Sequence, residues 1–347
     1  MLDLGSGTGI LGLMACRAGA RRVYAVDDGN VIELARMIAH ANGFTDRVVH
    51  IQGHSTQTQL PELADVVVAD QIGFASEYGL IECFCDARDR LLVPGGSLVP
   101  CRLDMLVAPV ACAEKWSEIQ QWTGRPMGYD LGVVHPSAMN TVYSVKLGSD
   151  HVLGTPALAG AVDLTATNGG SFALAASIPI NRSGVMHGIG GWFSATLAEG
   201  VCLTNSPVAE GRIDRSASFF PLEYPLSVQQ GDRVEIRMHI MPTDRILTWK
   251  VEVWEQTPAG PSIKASFAHS TWKGMFLSPD NLKKLDPAHT PCISTAGKIR
   301  LAILELCDGT RSLAQIEEEV WRVHPELFRS RRQASILVAE VVSKYAQ

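Results

Sequence analysis

Over the first hundred residues the apolar positions come in short unbroken runs closed by an acid or a glycine turn. Met1-Leu-Asp-Leu, Arg21-Arg-Val-Tyr-Ala-Val-Asp27, Val48-Val-His-Ile-Gln and Ala64-Asp-Val-Val-Val-Ala-Asp70 are four of them. Unbroken runs suit strands buried on both faces. Helical spacing fills the gaps at about 10–18, 31–41 and 80–92, and Pro94-Gly-Gly96 turns the chain into a last strand from Ser97. Strand and helix alternating at this spacing predict a doubly wound parallel sheet.

From residue 101 the pattern shortens and begins to alternate, most clearly in Arg233-Val-Glu-Ile-Arg-Met-His-Ile. Strands are expected at 103–110, 141–145, 171–178, 191–197, 233–241 and 248–254, separated by Gly, Pro, Asn and Asp. That is an antiparallel β barrel or sandwich. Pro287 and Pro291 bracket a polar linker. Helices are expected at 297–307, from Ser312 to about 324, and at 331–345, the second opened by a Ser312/Gln315 capping box. The fold class is therefore α/β + β, in three parts: 1–100, 101–287 and 288–347.

A chain of 347 residues can bury more than one core. Its formal net charge of −6 speaks against a primary nucleic-acid binder and allows a cationic substrate. No apolar run is long enough to span a membrane, and the start lacks the regions of a signal peptide. The eight cysteines form no CxxC pair, so reduced and mostly buried thiols are expected, with no metal site, in a cytoplasmic protein.

Candidate chemistry concentrates at the beginning. In Asp3-Leu-Gly5-Ser-Gly7-Thr-Gly9-Ile-Leu-Gly12 a strand end meets alternate glycines and then a helix. Glycines there let the backbone turn sharply and approach a ligand. The spacing is neither the dinucleotide Gly-x-Gly-x-x-Gly nor a P-loop. An acid two residues before the first glycine can take a cationic ligand end. Asp27, about 20 residues after the glycines, stands where an acid takes ribose hydroxyls in such sheets, with Asp28 or Asn30 left to cap the next helix. His54 reads as a turn residue. Only three residues precede the turn, shorter than an ordinary strand, so a longer natural chain is expected.

The Gly-x-Gly-x-Gly stretch resembles motif I of class I S-adenosylmethionine (SAM) methyltransferases. With Ala18-Gly-Ala-Arg-Arg-Val-Tyr-Ala-Val-Asp27 and Ala87-Arg-Asp-Arg-Leu-Leu-Val-Pro-Gly-Gly-Ser-Leu-Val-Pro100, the ordered set resembles the protein arginine methyltransferases. The likeness continues through Gly188-Ile-Gly-Gly-Trp-Phe193, Leu203-Thr-Asn-Ser-Pro207 and Pro225-Leu-Ser-Val-Gln-Gln-Gly-Asp232, to about residue 260. It implies SAM as cofactor, with Asp3, Gly5 and Gly7 at the methionine end, Asp27 on the ribose, and Ser55 and Thr56 near the adenine. It also implies a protein or peptide substrate and a homodimer.

The catalytic loop departs from the family pattern of two glutamates holding a guanidinium. The first position is Asp70. The second falls near Tyr78 or Gly79, leaving Glu77 or, less directly, Glu82 as its replacement. Asp70 and Glu77 are the candidate catalytic residues. The family's Thr-His-Trp signature should fall near Ile213, where the chain has Ile213-Asp214-Arg215. His269-Ser-Thr-Trp272 is expected to lie after the last strand and to be coincidental. Leu306-Cys-Asp-Gly-Thr-Arg-Ser-Leu-Ala-Gln-Ile316 resembles PqqD-like winged-helix domains, which implies leader-peptide binding along a strand edge.

The expected activity is SAM-dependent methyl transfer to a protein or peptide nitrogen. The alternatives are a non-arginine or small-molecule acceptor, recognised through Asp214 and Arg215, or a catalytically weak peptide-binding partner. With the covering helices of the family expected before Met1, the 347 residues alone are expected to bind SAM weakly.

Overall fold

A computed structural model describes residues 1–74, 78–167, 169–242, 244–276, 278–328 and 330–346. The chain divides into two compact units, Met1–Phe276 and Leu277–Gln347.

The first unit begins with five parallel strands: β1 (Leu2–Leu4), β2 (Val23–Asp27), β3 (Val48–Gln52), β4 (Ala64–Val68) and β5 (Leu92–Val99). Their order is β3-β2-β1-β4-β5. Chain direction across the sheet reverses at β1, so β2 and β4 flank it, which is where a doubly wound sheet opens a crevice. Helices α1 (Ile10–Arg17), α2 (Val31–Ala41) and α3 (Tyr78–Arg90) connect the strands. The strands are buried as their unbroken apolar runs require: Leu2, Val23 and Val67 are wholly covered.

Ten further strands build two antiparallel sheets. They are β6 (Arg102–Val110), β7 (Tyr143–Val145), β8 (Ala157–Asp163), β9 (Phe172–Pro179), β10 (Gly184–Ala198), β11 (Val201–Thr204), β12 (Ala217–Val228), β13 (Arg233–Met241), β14 (Ile246–Thr257) and β15 (Gly260–Ser270). One sheet runs β7-β12-β10-β6-β8 with β11 also paired to β10, and the other runs β15-β14-β13-β9. Residues of both sheets, among them Phe193, Phe220, Val234 and Trp249, share one apolar core with the face of the parallel sheet that carries Phe84 of α3. Short helices α4 (Ala113–Gln120), α5 (His135–Met139) and α6 (Thr271–Gly274) complete this unit.

Of the six strands expected here, β6, β10 and β14 are longer and β7 is shorter, and β8, β11, β12 and β15 are additional. β12 was hidden by Pro221 and Pro225. Its partner β7 covers only Ala217–Phe219, so the prolines fall where one strand edge has no ladder to donate to. β15 is the hairpin partner of β14, and its Gly, Pro, Ser and Lys blur the alternation. His269 therefore lies within the last strand rather than after it. It stacks on Trp249 with ring centroids 5.2 Å apart.

The second unit contains α7 (Pro279–Lys284) and three helices, α8 (Thr295–Leu306), α9 (Leu313–Val323) and α10 (Arg331–Tyr345), that pack around Ile303, Val320 and Val338. The predicted capping box forms, Ser312 and Gln315 each accepting from the other's backbone N–H. No described residue of this unit lies in a strand, so the strand edge implied for a leader peptide is not among them.

The cysteines are free, but only Cys16 and Cys112 are buried, fewer than expected. No described helix is long and apolar enough to cross a membrane.

Candidate functional site

Strand register sets the site. Asp3 pairs with Ala25 on one side and Val68 on the other. Asp27 and Asp70 each lie two residues beyond those partners, so the two acids stand on either side of Gly5 at the C-terminal edge of the sheet. Gly5, Gly7 and Gly9 all take left-handed backbone angles, with φ of 64°, 52° and 78°. Only glycine adopts these without strain, and three in succession curl the chain into the first turn of α1.

Asp27 ties this loop together. Its Oδ2 accepts from the Gly7 N–H at 2.8 Å and its Oδ1 from the Gly29 N–H at 2.8 Å. Each carboxylate oxygen keeps lone pairs for a further donor, as ribose hydroxyls would supply. Asn30 heads α2 without capping it through its side chain, which instead accepts from Gln52.

Asp3 lies beneath the loop, 1% exposed, and not on the wall of the cleft. Its Oδ2 has no hydrogen-bond partner among the described residues. Burial pushes its carboxyl up to about 7, against the opposing Gly12 N–H, and the charges of Asp70 and Asp27 push the same way. A buried acid with one oxygen unpartnered under a glycine cradle suits a cationic ligand above it.

A cleft of about 110 Å³ opens over the loop, lined by Gly5, Asp27, Asp28, His54, Ser55 and Gln71 among others. That is smaller than a ligand-enclosing pocket, so a nucleoside there would lie in an open groove. Ser55 faces the cleft. Thr56 does not line it, and its hydroxyl pairs with His54 Nδ1 at 2.7 Å. His54 also caps the short helical turn that follows it, a structural duty in keeping with a turn histidine. Gln71 was not foreseen. A Cβ built on Gly5 would fall 2.4 Å from its Nε2, so its amide lies directly over the loop. Nothing in its sequence context marks it.

The loop after β4 is pinned to the antiparallel sheets. Arg215 Nη1 donates to the carbonyls of Asp70 and Ile72 at 3.0 and 2.7 Å. Ser218 Oγ donates to the Phe74 carbonyl at 3.1 Å. The Phe74 ring meets Phe220 edge to face at 5.7 Å and leaves no room for a side chain at Gly191. Asp70 is thereby presented, exposed, beside the glycine loop. Arg215 stands where the missing signature should be, and the gap in that signature was its one sequence signal. Glu77 lies outside the described residues, and Glu82 is exposed on α3. Among the described residues no group of three His, Cys, Asp or Glu is placed to hold a metal ion.

Comparison with known proteins finds methyltransferases. A family model described as ribosomal protein L11 methyltransferase (PrmA) matches residues 1–99. Protein arginine N-methyltransferase 6 of Xenopus laevis is 28% identical over 261 residues, 70% of this chain and 75% of the relative. Protein arginine N-methyltransferase PRMT10 of Oryza sativa subsp. japonica is 29% identical over 270 residues, 68% and 71% of the two chains. Among solved structures, the Trypanosoma brucei PRMT1 enzyme–prozyme heterotetrameric complex with AdoHcy superposes with a TM-score of 0.66 at 23% identity, covering 77% of this chain and 88% of the other. Arabidopsis thaliana protein arginine methyltransferase 10, in an open conformation, gives 0.65 at 22% identity, covering 78% and 88%. In sequence the chain is similar to protein arginine N-methyltransferases, and it shares their fold.

Proposed function

We propose that the chain is a SAM-dependent methyltransferase that transfers a methyl group to a nitrogen of a protein or peptide. The observation that carries this reading is the register that sets Asp27 and Asp70 on the two sides of the Gly5 loop. The residues fit the cofactor: three left-handed glycines form a cradle, Asp27 has spare lone pairs for a ribose, and the buried Asp3 has one oxygen without a partner beneath the place of a cationic group. Gly5, Gly7 and Asp3 would hold the methionine end, Asp27 the ribose, and Ser55, with Thr56 behind it, the adenine side. SAM supplies an electrophilic methyl group on a sulfonium.

The protein's own part is positioning and electrostatics. Asp70 faces the acceptor, aligns its nitrogen and stabilises the positive charge that develops there. Glu77 is the second acid of the reading. A planar guanidinium takes two carboxylates well, yet Asp70 is a methylene shorter than the family's glutamate and the second acid is out of register. A second reading, a different nitrogen or a small-molecule acceptor, is favoured by the replacement of the Thr-His-Trp signature with Ile213-Asp214-Arg215.

In the carboxyl-terminal unit the helix-turn-helix with its capping box supports the PqqD-like reading, and with it a leader peptide as partner. A homodimer and a cytoplasmic location complete the proposal.

Incubation with methyl-labelled SAM and peptides with and without arginine tests it. Label is expected in the arginine peptide. Label in neither peptide, from protein that binds SAM, would remove the peptide-methyltransferase reading. Equal labelling of both would move the acceptor away from arginine.

A further inference from the structure

A second cleft, of about 300 Å³, opens where the signature is replaced. Trp192, wholly buried, forms its floor, and Lys146, Arg212, Asp214 and Arg215 stand around it. Three cations thus face one carboxylate, in a chain whose net charge is −6. Asp214 is already taken by Lys146, whose ammonium reaches both its carboxylate and its carbonyl oxygen.

The two guanidiniums are differently placed. Arg212 Nη1 makes one long contact of 3.4 Å to the Leu147 carbonyl. Arg215 spends Nη1 on the carbonyls of Asp70 and Ile72. Neither has a carboxylate within ion-pair distance among the described residues. A guanidinium carries five donors, so most of theirs point at nothing charged. Arg215 joins this cleft to the loop that presents Asp70.

We infer that this cleft is a carboxylate-binding subsite, and that the acceptor is a peptide with acidic side chains beside the methylated residue. The inference rests on the methyltransferase reading for the word acceptor, and on the cleft alone for the word acidic. Planar guanidiniums with free edges match a carboxylate. In a chain of net charge −6, such a cleft is a local attractor for a negative segment. Lys146 and Arg212 supply charge, and Arg215 ties an occupied subsite to the position of Asp70.

The test uses the full chain and two dye-labelled peptides, Gly-Arg-Gly flanked by four glutamates or by four glutamines, read by fluorescence anisotropy. The glutamate peptide is expected to bind about tenfold more tightly at low salt, with the preference shrinking as salt screens it. Arg212→Gln with Lys146→Gln should cut that preference about tenfold, with SAM affinity unchanged. Asp214→Asn, which removes the competing carboxylate, should strengthen it, an effect that a merely structural role would not produce. Equal affinity for the two peptides, or a preference unchanged in the double variant, would overturn the subsite. Loss of labelled methyl transfer with the preference intact would overturn the enzyme reading and leave the subsite standing. Transfer without the preference would do the reverse.

Discussion

Asp27 and Asp3 serve the glycine loop from opposite environments, one part-buried and bonded, the other almost wholly covered. Asp27 accepts two backbone N–H groups and holds the glycine loop to the start of α2. Asp27→Ala removes both and also any contact to a ribose, so SAM affinity measured by calorimetry should fall roughly 30-fold, about 2 kcal/mol. Burial outweighs the one opposing backbone N–H, of Gly12, and holds the Asp3 carboxyl at about 7, above its ordinary 3.8. The folded chain therefore binds this proton over a range where the unfolded chain has released it. Asp3 makes stability fall as pH rises from about 4 to about 7. Asp3→Asn should abolish that slope, gaining roughly 4 kcal/mol over the parent above pH 7 and nothing near pH 4 in denaturant titrations. The same proton should leave when a cation binds above it. Calorimetry near pH 6, in buffers of different ionisation enthalpy, should record proton release with SAM and less with the uncharged sulfur of S-adenosylhomocysteine.

At the scale of elements, the decisive feature is the loop after β4. Its acid was readable, because an apolar run that ends in Asp70 marks a central strand whose end faces ligand. Its restraint was not readable, because Arg215 and Ser218 lie more than 140 residues further along the chain. Arg215→Ala should free the loop with little cost to stability, roughly 1 kcal/mol or less, since the side chain is exposed. Turnover should drop about tenfold with SAM affinity preserved, a split seen by comparing steady-state rates with cofactor calorimetry. The glycine loop and the capping box of α9 were legible for the opposite reason. Each depends on residues within a few positions of one another.

For the whole molecule, two compact units predict separable behaviour. A chain ending at residue 276 should keep SAM affinity within about twofold, because every residue around the glycine loop lies before that point. A larger loss of affinity, measured by the same calorimetry, would show that the carboxyl-terminal unit takes part in cofactor binding.

What the amino-acid order alone determined was local: which runs bury as parallel strands, where glycine must turn the backbone, which acids close β2 and β4, and where the terminal helices begin. Periodicity and turn chemistry act over a few residues, so they survive without knowledge of the fold. Only tertiary structure decided that Asp3 is a covered acid rather than a wall of the cleft, that Gln71 lies over Gly5, and that Arg215 pins the acceptor loop beside a cationic cleft. Those outcomes depend on burial and on partners far apart in the chain, which the packing of the sheets brings together.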